Sequence, residues 1–157
     1  MSEEQKKGAI SLAQLLSVNR IIFPSEQVEP RQLLEQLVRR VCEEEPTLDF
    51  SSVMSELSKQ EGAGPVLETG LALPHCRVDG LTRFVGALAV LPSPLQSPKK
   101  GRIRLMLLFF SPLQPSFFSQ HLRLLASIAG TFTPDFIHRL QSAGSAQKVL
   151  NCFKKRI

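Results

Sequence analysis

Apolar residues in the first third of the chain recur at helical spacing. Leu12, Leu15 and Leu16 follow Ser11, a residue suited to cap a short helix. Ile21-Ile22-Phe23 is a short unbroken apolar run closed by Pro24, which predicts a strand. Pro30 suits the first position of a helix. Leu33, Leu34, Leu37, Val38, Val41 and Cys42 mark one face of that helix as far as the acidic run Glu43 to Glu45. Thr47 or Asp49 starts the next helix, with Phe50, Val53, Met54 and Leu57 on one side. Both stripes read as core faces.

The middle of the chain changes period. Gly62, Gly64, Pro65 and Gly70 interrupt the helical pattern, and short extended segments are predicted at Pro65 to Leu67 and Leu71 to Leu73. Unbroken apolar runs predict buried strands over Arg83 to Leu91 and Arg102 to Phe110, with Pro92, Pro94 and Pro98 in the connection between them. Helices then return. Ser119 reads as the cap of one with Leu122, Leu125, Ile128 and Ala129 inward. Thr133-Pro134-Asp135 opens another through Phe136, Ile137 and Leu140, ended by Gly144. Ser145 opens the last, with Val149, Leu150 and Phe153 as its apolar side. The expected fold is α/β, a mixed β-sheet flanked by helices on both faces, partly parallel because some strand connections include helices.

Composition narrows the class. A length of 157 residues suits one domain, expected over residues 10–155, with residues 1–9 as a flexible N-terminus. No apolar run approaches the roughly 18 residues of a membrane helix, and MSEEQKKGAI lacks a secretory core, so a cytosolic location is expected. The net charge of +5 comes partly from Lys99-Lys100-Gly101-Arg102-Ile103-Arg104 and Lys154-Lys155-Arg156. No aromatic residues interleave with these clusters, which argues for solvated faces and against a nucleic-acid surface. Cys42, Cys76 and Cys152 are odd in number, widely spaced and without a C-x-x-C pair, which argues against a disulfide framework and a cysteine-rich zinc site.

Three histidines remain as candidates for chemistry. His138 lies mid-helix beside Arg139 and reads as structural. His121 falls in the first turn of a predicted helix, where free backbone N–H groups favour an anion and disfavour a second ring proton. His75 closes the apolar run Gly70-Leu71-Ala72-Leu73-Pro74-His75 and precedes Cys76 and Arg77 at a strand end feeding a loop. Its composition and spacing leave a structural and a functional role both open. Adjacent side chains on an extended chain point to opposite sides, which argues against a shared metal ion or a nucleophilic dyad at His75-Cys76.

The stretch from Gly70 to His75 resembles the G-[IV]-A-[ILM]-P-H signature of the mannitol/fructose-type enzyme IIA domains of the phosphoenolpyruvate-dependent phosphotransferase system. A second landmark is similar: Ser111-Pro112, a loop, then His121-Leu122 and Leu124-Leu125. The close from Leu140 to Ser145 before a short helix also resembles the family's end. Freedom from attached transporter domains points to the nitrogen-regulatory branch. The resemblance implies phosphoryl transfer between histidines, with His75 the acceptor and His121 the second active-site histidine. It also implies a phosphorylated HPr-like carrier as donor, a regulatory output, and neither metal nor organic cofactor.

The chain departs from that pattern near the signature. Relatives carry R-E and then G-S-T where this chain has Lys59-Gln60 and Ala63-Gly64-Pro65, and glycine where it has Cys76. Lys59 offers phosphate a point charge where an arginine would offer a planar fork. Arg77 stands close by as a partial replacement for the lost phosphate contact, with a plain surface arginine as the favoured reading. These changes support a rival reading, an interaction protein that kept the fold and lost efficient transfer.

Overall fold

Ser11 caps the first helix by accepting a hydrogen bond from the Ala13 N–H at 3.2 Å, and α1 spans Leu12–Leu15. The computed structural model describes residues 10–24, 28–60, 64–97 and 101–154. The N-terminal nine residues, Gly62, Ala63, Pro98, Lys99, Lys100, Lys155 and Arg156 therefore lie outside the described residues. A short turn leads into β1 (Ile21–Ile22). Pro30 occupies the first position of α2 (Pro30–Glu44), and the Asp49 carboxylate accepts the Ser52 N–H at 3.0 Å to start α3 (Phe50–Ser58). Four strands follow: β2 (Leu71–Ala72), β3 (His75–Val78), β4 (Val85–Ser97) and β5 (Gly101–Pro112). The chain ends in α4 (Phe118–Thr131), α5 (Pro134–Gln141) and α6 (Ala146–Lys154).

The strands form one mixed sheet in the order β1-β4-β5-β2. The central β4–β5 pair is antiparallel, whereas β1 runs parallel to β4. β2 and β3 lie in succession along one side of β5, both parallel to it. Leu105, Leu107 and Phe109 face the layer of α1, α4, α5 and α6, while Met106, Leu108 and Phe110 face α2 and α3. Because both faces are covered, alternation disappears and the central strands read as continuous apolar runs. Each fully buried Leu or Phe contributes roughly 1.5–3 kcal/mol relative to exposure.

Several expectations need correction. Pro92 and Pro94 belong to β4 and not to a connection. The pairing with β5 jumps from Val90 to Leu95, a bulge in which no ladder N–H is required of either proline. Pro65 to Leu67 forms no strand and makes only an isolated bridge between Val66 and Ala72. Ser119 does not cap α4: a 3₁₀ turn over Pro115–Phe117 starts the helix two residues earlier, at Phe118, with Phe117 in the cap position. The inward stripe of α4 is accordingly Gln120, His121, Leu124, Ile128 and Thr131, while Leu122 and Ala129 are exposed. Finally, His75 does not close a strand into a loop. It opens β3.

Candidate functional site

The site lies where β3 and β5 end side by side. The register sets His75 opposite Phe109, and the two rings stack with centroids 5.0 Å apart and planes 10° from parallel. Nδ1 of His75 lies 2.7 Å from the Leu73 carbonyl oxygen. A carbonyl only accepts, so Nδ1 carries the hydrogen and the lone pair of the neutral ring is on Nε2. Behind the histidine, the Gln60 amide donates to the His75 carbonyl, while its own Oε1 is buried without a donor among the described residues. Gly64 makes room for that amide: it has φ +82°, and a Cβ there would lie 2.7 Å from Gln60 Oε1.

His121 approaches from the helical layer. It is the fourth residue of α4, is 7 % exposed, and its ring centroid lies 6.1 Å from that of His75. Its Nδ1 is 2.7 Å from the hydroxyl of Ser111, which is fully buried at the end of β5. Burial lowers the His121 pKa below the usual histidine value, and the charges of His75 and Arg77 push it the same way. His121 is therefore a neutral ring at neutral pH.

That depression links to stability with a definite sign. The unfolded chain binds a proton on His121 more readily than the fold does, so stability is full above about pH 6.5 and is lost as pH falls towards the folded pKa. Urea midpoints of the wild type are expected to drop between about pH 7.5 and 5.5, and a His121→Asn variant to drop less. Equal drops would remove His121 from this account.

Arg77 is not the surface residue that its sequence setting suggests. It is half-buried, and its Nη2 donates to the carbonyls of Pro112, Leu113 and Gln114 at 3.1, 3.1 and 3.2 Å. Its guanidinium carbon sits 5.1 Å from the centre of the Phe118 ring, which in turn stacks on His121 at 6.3 Å. Leu113, Phe118 and Leu122, 45 %, 47 % and 50 % exposed, form an apolar rim on this side.

Lys59 stands apart in its contacts, exposed at the end of α3 with its ammonium 2.9 Å from Glu56. Cys76 packs into the opposite face of the sheet from the stacked His75 ring, and burial with the nearby Glu56 charge pushes its thiol up to about 12, an inert state. His138 is exposed on α5. Among the described residues, no group of three or more His, Cys, Asp or Glu side chains is placed to hold a metal ion. Gln60 and Ser111 were not legible as site residues. The first is marked in the sequence only as a departure from a pattern, and the second only as the strand-ending Ser111-Pro112 of the second landmark, with no role attached to its hydroxyl.

A family model for the phosphoenolpyruvate-dependent sugar phosphotransferase system, EIIA 2, matches residues 14–156. The chain is 29 % identical over 140 residues to the nitrogen regulatory protein of Pseudomonas aeruginosa, covering 88 % of this chain and 91 % of that protein. Its fold is similar to that of nitrogen regulatory protein IIA-Ntr from Neisseria meningitidis. There the TM-score is 0.76 at 23 % identity, over 90 % of this chain and 98 % of the other. It is also similar to IIA mannitol from Escherichia coli, with a TM-score of 0.63 at 14 % identity over 88 % and 98 %.

Proposed function

The chain belongs to the EIIA 2 family of the phosphoenolpyruvate-dependent sugar phosphotransferase system, and we propose that it is a phosphocarrier of the nitrogen-regulatory kind whose acceptor atom is Nε2 of His75. The observation that carries this reading is the Nδ1–H···O=C bond from His75 to Leu73, at 2.7 Å. It fixes the tautomer, leaves Nε2 as the nucleophile, and needs no proton to be removed before attack.

The donor in this reading is a phosphorylated HPr-like carrier. As the Nε2–P bond forms, the P–N bond to the donor imidazole breaks and that nitrogen leaves with the electron pair. His121 supplies a donor to the phosphoryl oxygens. With the Ser111 hydroxyl donating to its Nδ1, the neutral ring carries its hydrogen on Nε2 and can offer it to the group in transit. Lys59, freed from Glu56, is a further candidate for phosphate contact. No metal or organic cofactor enters the step.

The output follows from charge. Phosphorylation adds roughly −1.5 to −2 at neutral pH beside the exposed apolar rim of Leu113, Phe118 and Leu122. A partner that docks on that rim is then accepted or refused according to the state of His75. No helix among the described residues is long and apolar enough to cross a membrane, and we place the protein in the cytosol with its carrier.

The test is intact-mass measurement after incubation with phosphoenolpyruvate, the general phosphotransferase enzyme and an HPr-type carrier. One phosphoryl mass, acid-labile and mapped to His75, is the expected result. No gain, with the carrier itself shown to be charged, would sink the transfer reading. It would favour the interaction protein, which the substitution of Lys59-Gln60 for an arginine-glutamate pair already supports.

A further inference from the structure

Arg77 holds a positive charge that no carboxylate among the described residues pairs with. Among the described residues it takes part in no ion pair, although the chain's other half-buried or buried arginines find carboxylate or amide partners, as Arg20 does with Glu44 and Arg104 with Gln141. Its partners are three main-chain carbonyls, all on Nη2, whose two hydrogens must be shared among them. Its Nε–H is buried and has no acceptor among the described residues. A buried donor left unmade costs about 1–3 kcal/mol, so the resting site is poorer in acceptors than the guanidinium can use.

Its placement says which acceptor is missing. Arg77 is two residues beyond His75 on β3, so both side chains leave the same face of the sheet. The register sets Arg77 opposite Ser111, the residue that holds His121. The guanidinium lies over Phe118, which stacks on His121, which faces His75. Arg77 also contributes to the lowered pKa of His121, as a cation near that ring must. The carbonyl strap fixes the charge in place, so little is lost in ordering it when an anion arrives.

We propose that Arg77 is the cation that receives the phosphoryl group carried on His75, its fixed guanidinium facing the phosphoryl oxygens across from His121. This rests on the reading of His75 as the acceptor. Lys59, exposed and held by Glu56, is the weaker candidate for the same work.

Phosphoramidate, a small donor with no docking surface, separates this role from partner binding. The rate of phosphohistidine formation on His75, followed by ³¹P NMR, is expected to fall by about 10- to 10²-fold in Arg77→Gln and to recover only in part in Arg77→Lys, which keeps the charge but not the carbonyl strap that fixes it. A residue that only shaped the docking rim would slow transfer from the carrier protein and leave the phosphoramidate rate unchanged. In the wild type, the ¹H–¹⁵N signal of the Arg77 Nε–H is expected to move on phosphorylation of His75, and this measurement decides the matter should Arg77→Gln fail to fold. Equal phosphoramidate rates in wild type and Arg77→Gln, or an unmoved Nε–H signal in phosphorylated protein, would overturn the assignment while leaving His75 as acceptor. If the wild type takes a phosphoryl group from neither donor, the acceptor reading falls and the role of Arg77 with it.

Discussion

Replacing His121 with alanine is expected to slow phosphoryl uptake by His75 about 10²- to 10³-fold, the range for removal of one preorganised donor, while His75→Ala takes up none. His121 owes this weight to three features. It is 7 % exposed, its ring lies 6.1 Å from that of His75, and Ser111 orients it through a 2.7 Å contact at Nδ1. In a dry setting a donor fixed before the reaction acts without reorganisation. The lowered pKa matters here too, because a protonated His121 would set a positive charge beside the His75 nucleophile before the phosphoryl group arrives. Removing the ring also leaves the Ser111 hydroxyl buried and unpaired, so His121→Ala is expected to lose about 1–3 kcal/mol of stability. Ser111→Ala separates the two effects. It keeps the ring, releases its orientation, and is expected to slow uptake by only about tenfold. Single-turnover uptake from a charged carrier, read by mass after quenching, measures all three. A His121→Ala rate equal to wild type, with the protein folded, would remove this histidine from the chemistry.

The parts of this fold visible in the sequence are those in which a local rule and the tertiary structure agree. Pro30 and the Leu33-to-Val41 stripe fix α2, Asp49 caps α3, and Thr133 caps α5 by accepting the Phe136 N–H at 3.2 Å. The two central strands were visible as apolar runs because both faces of the sheet are covered. The failures occur where tertiary contacts override local signals. β3 reads His-Cys-Arg-Val, half-buried throughout, and is a strand only because β5 offers it a parallel edge. Pro92 and Pro94 would be barred from a regular ladder and are accommodated by the bulge. α4 starts on the turn at Pro115, a constraint stronger than the capping preference of Ser119. At the site, a signature located His75, but no periodicity could bring Gln60, Arg77 and Ser111 to it from a helix end, a strand interior and a neighbouring strand.

Arg20→Ala is expected to lower stability by about 2–4 kcal/mol, although the residue looks like an ordinary polar flank of the Ile21-Ile22 run. The side chain is 7 % exposed and ties together three elements. Its Nε–H donates to the Gly86 carbonyl in β4 at 2.9 Å, its Nη2 to the Leu15 carbonyl at the end of α1 at 3.3 Å, and its Nη1 pairs with the Glu44 carboxylate at the end of α2. The Arg20 hydrogen bond is the main cause holding the Glu44 carboxyl below the usual carboxylate range. The glycine that offers this carbonyl is itself required by the packing of β5 and α1, since a Cβ on Gly86 would lie 2.6 Å from the Leu108 carbonyl oxygen and 3.0 Å from Leu15. Truncation therefore removes the donors from two carbonyls and leaves a space that no neighbour is shaped to fill. Glu44 is partly open to water, which keeps the loss below that of a fully buried pair. Arg20→Lys is expected to recover little, because one ammonium on a flexible stem cannot serve three acceptors set in a fork. The exposed Arg31–Glu35 pair is the control: its loss is expected to cost no more than about 0.5 kcal/mol and to vanish in high salt. Urea denaturation of the three variants at low and high salt decides the issue. A loss below about 1 kcal/mol for Arg20→Ala, or one that salt abolishes, would mean that the three elements hold together without it.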